Sequence, residues 1–317
     1  MPETRIEKTR RAIDYWINRQ GLVLLDGALA TCLEERGHSL HETLWSADML
    51  ASDPDAIFDL HMDYLRAGAN CIITASYQAS LPGFVQAGFD QDTAIRLMRT
   101  ATRLGIDARR AFVDEGGDEN TLVAVSLGPY GASLADGSEY HGGYSVSEHD
   151  LVQFHQQRLR LFVDQAADIF AFETIPNATE AQVAMQLMAE YPGQAFWLSF
   201  SCRDDHRISD GTSITDFLSG RPRPDNLVAL GINCTAPEHI ESLVKRIRWS
   251  CPDLHVVVYP NRGDEWDADA RCWKVRPDGP SIHALACDWQ AAGADMIGGC
   301  CRTTPADVAA LKRIFVR

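Results

Sequence analysis

Eight short apolar runs, each closed by glycine or a small polar residue, recur along the chain with helix-forming segments between them. They begin at Leu22 (LVLLDG), Cys71 (CIITASY), Leu122 (LVAVSLGP), Ile169 (IFAFETIP), Phe196 (FWLSFSC), Leu227 (LVALGINC), His255 (HVVVYPN) and Asp295 (DMIGGCC). The runs are rich in β-branched and aromatic residues and do not alternate with polar ones, the pattern of parallel strands covered on both faces. Eight strand–helix units within 317 residues point to an α/β protein with a (β/α)8 TIM-barrel architecture. The competing arrangement is an open doubly wound sheet. It is disfavoured because no G-x-G-x-x-G or P-loop follows the first run.

The connections carry helix start and stop signals. Asp53-Pro54 opens a segment with Ile57, Leu60, Tyr64 and Leu65 on one face, and Gly68 stops it. Ser147 with Asp150 begins another, carrying Leu151, Phe154, Leu161 and Phe162. Thr179 with Gln182 and Thr235 with Glu238 have capping-box spacing. Thr304-Pro305 starts the last helix, with Val308, Leu311, Ile314 and Phe315 expected to face inward. The helix after the fifth strand is weak, because SITDFLSGRPRPDN is short and broken by proline. No linker or low-complexity segment divides the chain, so residues 1–317 are expected to form one domain, with residues 1–20 as a helical cap on the barrel floor.

Charge narrows the partners. Lys and Arg number 29 against 44 Asp and Glu, a net charge of −15. Such a field repels nucleic acid and anionic membrane surfaces, so neither is an expected partner. No apolar run approaches the roughly 20 residues of a membrane span, and the charged N-terminus lacks a signal-peptide core. A cytoplasmic protein, monomeric or a small homo-oligomer, acting on small molecules is expected. Nine cysteines, an odd number without the spacing of a secreted disulfide framework, suit reduced thiols or metal ligands.

Active sites of such barrels lie at the C-terminal strand ends. Those positions hold Asp26, Thr74, Ser126, Glu173, Ser199, Ser201, Asn233, Cys234, Tyr259, Asn261, Cys300 and Cys301. Strands six and eight lie two apart around a closed barrel, so Cys234 can meet Cys300 and Cys301 over the mouth, with Gly298-Gly299 letting the backbone turn sharply. Three thiolates make a soft site that suits Zn²⁺, and an open fourth position marks a catalytic ion. Two buried small residues or a vicinal disulfide would be the alternatives for Cys300-Cys301. Cys202 is a rival ligand. Cys32, Cys71, Cys251 and Cys287 read as packing residues, and Cys272 as an exposed loop thiol. Asp26 could cap a helix. Glu173 ends an apolar strand, where an unpaired charge is costly, so it calls for a cationic partner. Two carboxylates beside a cysteine-held metal describe a pocket for an amino acid bearing a thiol.

The motifs DGALAT, ITASYQAS, GPYGASLADGSEY, FETIPNATEA, SDGT, GINC, YPNRGD and GGCCRTTPADVAAL occur in this order over about residues 20–317. Together they resemble the homocysteine S-methyltransferase family, in its short branch that uses S-methylmethionine; the GINC and GGCC pair is the most specific part. The resemblance implies a (β/α)8 barrel with Zn²⁺ on Cys234, Cys300 and Cys301. It implies that Glu173 holds the homocysteine amino group, and that Asp26, Gly27 and Thr74 line the same site. Asn233, in the same GINC motif, is a further candidate for substrate binding. The sequence ends soon after its eighth helix, which on this resemblance favours a free sulfonium donor over betaine or a cobalamin domain. S-adenosylmethionine and betaine remain alternative donors, selenocysteine an alternative substrate, and a non-catalytic thiol or zinc redox sensor an alternative role. The long loops after strands three and seven are expected to close over the donor, with Tyr130, Tyr140 or Trp266 facing its sulfonium.

Overall fold

The computed structural model describes residues 3–38, 48–263, 265–267, 272–274 and 281–316. The eight apolar runs become parallel strands: β1 (Val23–Leu24), β2 (Cys71–Ile73), β3 (Leu122–Leu127), β4 (Ile169–Ile175), β5 (Ala195–Phe200), β6 (Leu227–Asn233) and β7 (His255–Tyr259), then, past a separate antiparallel hairpin of β8 (Glu265–Asp267) and β9 (Cys272–Lys274), β10 (Met296–Ile297). Their hydrogen-bonded order is β2-β3-β4-β5-β6-β7-β10-β1. The remaining seam, between β1 and β2, is drawn together by a Leu25–Cys71 bridge, by the Asn70 amide donating to the Leu24 carbonyl (2.7 Å) and by the Asp26 amide donating to the Cys71 carbonyl (3.1 Å). The fold is a single-domain TIM barrel.

Strand periodicity sets the layers. Leu122, Ala124, Ile169, Ala171, Ala195, Trp197, Ala229 and Val257 point into the barrel and pack with one another. Their outward neighbours, including Val123, Val125, Phe170, Phe172, Phe196, Leu198, Leu230 and Val256, join the larger core under the helices. Every second residue faces inward, so continuing each inward row toward the strand tip reaches Ser126, Glu173, Ser199, Asn233 and Tyr259. The barrel is apolar below and polar at the mouth.

The floor is closed by the helix Arg5–Gln20, which a Thr4–Glu7 capping box starts and Gly21, at φ 89°, ends. Its Ala12, Ile13 and Trp16 pack into the barrel interior. Thr9 Oγ1 donates to the Asp168 carbonyl (2.8 Å) and Trp16 Nε1 to that of Asn120 (2.9 Å), just before β4 and β3.

The helix starts at Asp53, Ser147 and Thr304 are as the sequence reads them. Two others differ. Asn177, in extended backbone, caps the helix Ala178–Ala189, so Thr179 falls inside its first turn. Thr235 caps nothing: its hydroxyl donates to the Asn233 carbonyl (3.0 Å) and accepts the Cys202 amide (2.9 Å), tying the tip of β6 to that of β5. In the last helix Val308 and Leu311 are buried, but Ile314 is 36 % exposed in the final turn. The helix after β5 is the short Ile214–Leu218. Among the described residues no helix is long and apolar enough to cross a membrane.

Candidate active site

The tips of β6 and β10 bring three sulfurs together. Cys234 Sγ lies 3.2 Å from Cys300 Sγ and 3.4 Å from Cys301 Sγ, and the two neighbouring cysteines are 4.0 Å apart. A tetrahedral centre with metal–sulfur bonds of about 2.3 Å needs sulfurs roughly 3.8 Å apart, so the trio can receive a thiophilic ion with small adjustments. The thiols are electrostatically poised for one. Hydrogen bonds from Cys234 and then Cys300 hold the Cys301 thiol well below the usual range, while Cys234 is pushed well above it, first by its bond to Cys300. A cation would replace the protons that the trio otherwise retains.

Backbone geometry aims this cluster. Cys234 takes a left-handed conformation (φ 49°), as does Arg302 (φ 71°), immediately after Cys301. Gly298 and Gly299 are needed for space and not for a left-handed turn. A Cβ on Gly298 would stand 2.5 Å from Leu25 Cβ, and one on Gly299 2.4 Å from Thr303 Oγ1. Gly27 has the same kind of reason, since its Cβ would lie 2.6 Å from Thr303 Oγ1 and 2.9 Å from the Tyr64 hydroxyl. Thr303 Oγ1 in turn donates to the Cys300 carbonyl (2.6 Å). The Cys300 amide donates to the Pro260 carbonyl (2.8 Å) and the Arg262 amide to that of Cys301 (3.0 Å), fixing the cysteine loop to the segment after β7.

Two buried carboxylates share the mouth. Asp26, 1 % exposed, accepts the Ile73 amide at Oδ2 (2.8 Å), and burial raises its ionisation well above the usual range. Glu173 accepts the Ser126 hydroxyl, and its burial pushes it up to about 7, with the Tyr259 hydroxyl close by. Trp197 Nε1 donates to the Tyr259 hydroxyl (3.0 Å), which also meets Ser199 Oγ (2.7 Å). Thr74 Oγ1 accepts the Ser126 amide (3.2 Å) and lies 2.8 Å from Ser76 Oγ, which itself donates to the Ser126 carbonyl (2.8 Å). Thr74 therefore helps set the Ser126 hydroxyl that meets Glu173.

Asn233 does its work below the surface. Its Oδ1 accepts the Thr174 amide (2.7 Å) and the Ser199 hydroxyl (2.8 Å), while Nδ2 donates to Thr174 Oγ1 (2.7 Å). Thr174 is left-handed (φ 59°), a costly conformation for a β-branched residue. The clamp holds it there and thereby sets the direction of Glu173. Asn233, fully buried, is a positioning residue in this geometry.

Cys202 stands outside the trio, its amide on Thr235 and its strand bridged to Ile208. Cys32, Cys71 and Cys251 are buried, whereas Cys287 is exposed, contrary to a packing role. The side chains of Cys272 and Trp266 lie outside the described residues. Tyr140 stands next to the Cys301 thiol and helps to lower it. Tyr130 packs against Tyr144 and Phe154, with centroids 5.6 and 5.3 Å away.

Other residues of the site carry no readable sequence signal. Arg158, 1 % exposed on the helix Glu148–Phe162, donates to the carbonyls of Gly128 (2.6 Å), Ser76 (3.0 Å) and Tyr77 (2.7 Å), locking together the loops after β2 and β3. The fully buried Glu180 accepts the Tyr130 amide (2.6 Å) and the Tyr144 hydroxyl and meets His155 Nε2 (2.7 Å), anchoring the loop after β3 at its base. Tyr77, partly buried, stands among the thiols and acids near Glu139, Cys234 and Glu173.

Fold and site together define a TIM barrel with a three-thiol cluster that could hold a metal ion, and buried acids, at its mouth. The sequence profile of "Homocysteine S-methyltransferase" matches residues 23–315. The Escherichia coli homocysteine S-methyltransferase is 45% identical over 303 residues, covering 93% of this chain and 96% of that protein. The homocysteine S-methyltransferase YbgG of Bacillus subtilis is 41% identical over 302 residues, covering 93% and 95%. The metallated form of the homocysteine methyltransferase MmuM from Escherichia coli superimposes with a TM-score of 0.84 at 41% identity, covering 96% of this chain and 99% of that one. The chain belongs to the homocysteine S-methyltransferase family.

Proposed function

We propose that this protein transfers a methyl group from S-methylmethionine to the thiol of L-homocysteine, forming methionine, with Zn²⁺ held by Cys234, Cys300 and Cys301. The convergence of these sulfurs within 3.2–4.0 Å beside two buried carboxylates carries the reading. Zinc is favoured because three thiolates form a soft donor set and the reaction needs no redox change. When bound, the ion supplies an open position for the homocysteine sulfur and favours its thiolate, otherwise only a few per cent populated at pH 7, an effect of about 2 kcal/mol.

The chain's residues do the rest. Glu173, held by Ser126, takes the substrate ammonium, and Asp26 adds negative charge on the same side. Gly27 and Thr74 line the wall next to them. The thiol proton leaves to solvent as homocysteine binds. The sulfur then forms a bond to the methyl carbon as the donor's sulfur–methyl bond breaks, and a neutral thioether departs. Opposite charges cancel in that transition state, so a mouth closed to water favours it, and alignment of two bound substrates supplies much of the remaining acceleration. Tyr140, beside Cys301, with Tyr130, would cover the donor. A net charge of −15 and unpaired thiols support a cytoplasmic setting, with small molecules as partners and a monomer or small homo-oligomer as the assembly.

The test is methionine formation from homocysteine and S-methylmethionine by reduced protein, with and without a chelator. Turnover is expected to vanish with chelator. Cys300→Ser should lose both metal and turnover, and Cys202→Ser should keep both. Full activity in metal-free Cys300→Ser protein would overturn the assignment.

A further inference from the structure

A third buried acid stands near the cysteine cluster, and among the described residues no cation neutralises it. Glu139 lies in the short turn Ser138–Tyr140, within the loop after β3, and is 6 % exposed. Its Oε2 is buried without a hydrogen-bond partner, and among the described residues no Lys, Arg or His pairs with its carboxylate. The turn is not loose, because Ser201 Oγ at the tip of β5 donates to the Glu139 carbonyl (3.1 Å). The carboxylate bears on the Cys301 thiol and on the hydroxyls of Tyr77 and Tyr140, whereas Glu173 bears on Cys300. Three acids thus flank the three thiols, Asp26 and Glu173 toward Cys300 and Glu139 toward Cys301.

A buried carboxylate without a counter-charge is expensive, and its lone pairs call for N–H donors. The reaction brings two α-amino acids to this mouth, hence two ammonium groups, and Glu173 with Asp26 beside it accounts for one. We propose that Glu139 binds the α-ammonium of the methyl donor, a sulfonium amino acid, an inference that rests on the function proposed above. An ammonium offers three N–H donors to the orphaned oxygen, whereas a sulfonium centre or a quaternary amine offers none. The ammonium also keeps its charge throughout methyl transfer, so the contact strengthens ground state and transition state alike and appears in KM. Specificity for an amino-acid donor over betaine follows from the same atom.

Steady-state kinetics of the metal-loaded Glu139→Gln protein test this. The KM for S-methylmethionine is expected to rise on the order of tenfold or more, with kcat and the KM for homocysteine little changed. The melting temperature should hold or rise, since an uncompensated charge is removed, whereas a purely structural role for Glu139 predicts a fall. Glu139→Asp, which keeps the charge on a shorter arm, should fall between wild type and Glu139→Gln. Dimethylsulfoniopropionate, a sulfonium donor without an α-ammonium, should be used equally by wild type and Glu139→Gln. An unchanged donor KM, an equal rise for homocysteine, or an equal loss with the amine-free donor overturns the assignment of Glu139. Failure of the wild type itself to use S-methylmethionine instead overturns the donor reading, and this inference with it.

Discussion

Glu173 concentrates the residue-scale physics of the site. Burial raises its ionisation from about 4.5 to about 7, against the opposing hydroxyl of Ser126. In the unfolded chain the group ionises near its ordinary value, so between roughly pH 4.5 and 7 the folded state binds more protons than the unfolded one. Stability therefore falls as pH rises through that window. Glu173→Gln, without ligand, is expected to be more stable than wild type near pH 7 and above, by on the order of 3 kcal/mol at most, and equal to it below about pH 4. Denaturant unfolding across that range checks the sign. The carboxyl was legible in the sequence because a charge at the end of FAFET is conspicuous. Its direction was not, because Ser126, which holds it, comes from β3 and the Asn233 clamp on Thr174 from β6.

At the scale of elements, the strand tips matter more than the strands. Glu173, Asn233 and Cys301 are each followed by a non-glycine residue in left-handed backbone: Thr174, Cys234 and Arg302. Such conformations cost on the order of 1–3 kcal/mol each and persist only when surroundings enforce them. For Thr174 the enforcement is Asn233. Asn233→Ala leaves the Thr174 amide and hydroxyl and the Ser199 hydroxyl to find other partners. It is expected to cost about 2–3 kcal/mol of stability and to raise the KM for homocysteine about tenfold or more while the bound metal stays stoichiometric. Metal analysis beside kinetics separates this from damage to the thiol site. The ends of the apolar runs pointed to the right tips. Left-handed threonine and cysteine carry no sequence mark, and Gly298-Gly299 suggested a flexible turn where the need is room beside Leu25 and Thr303. Arg158 was invisible for a different reason: on an amphipathic helix an arginine reads as surface until its three carbonyl partners are seen.

On the scale of the whole molecule, the two ends of the barrel divide the labour of stability and chemistry. The helix Arg5–Gln20 plugs the floor through Trp16, 6 % exposed. Trp16→Ala is expected to cost about 3–5 kcal/mol, read by chemical denaturation, with kcat/KM at low temperature within about twofold of wild type. The overall architecture was readable because eight runs of one kind, spaced by helices, leave few closed arrangements. The β8–β9 hairpin was not: the segment holding it reads as one long loop, with short tryptophan-bearing stretches that pair only with each other. Exposed Cys287 was likewise misplaced, since a thiol in an apolar helix looks the same on either face.

The seam between β1 and β2 has a consequence for what this scaffold can become. There the Asp26 side chain takes the Ile73 amide that a neighbouring strand would otherwise hold, so one carboxylate is both a wall of the proposed acceptor pocket and a stitch in the barrel. Glu173 is likewise tied through Ser126 into the sheet. Glu139 hangs on a loop. A descendant that changes the molecule receiving the methyl group must rebuild the barrel's closure, whereas one that changes the molecule giving it need only edit a turn. Diversity among proteins built this way should accumulate on the donor's side.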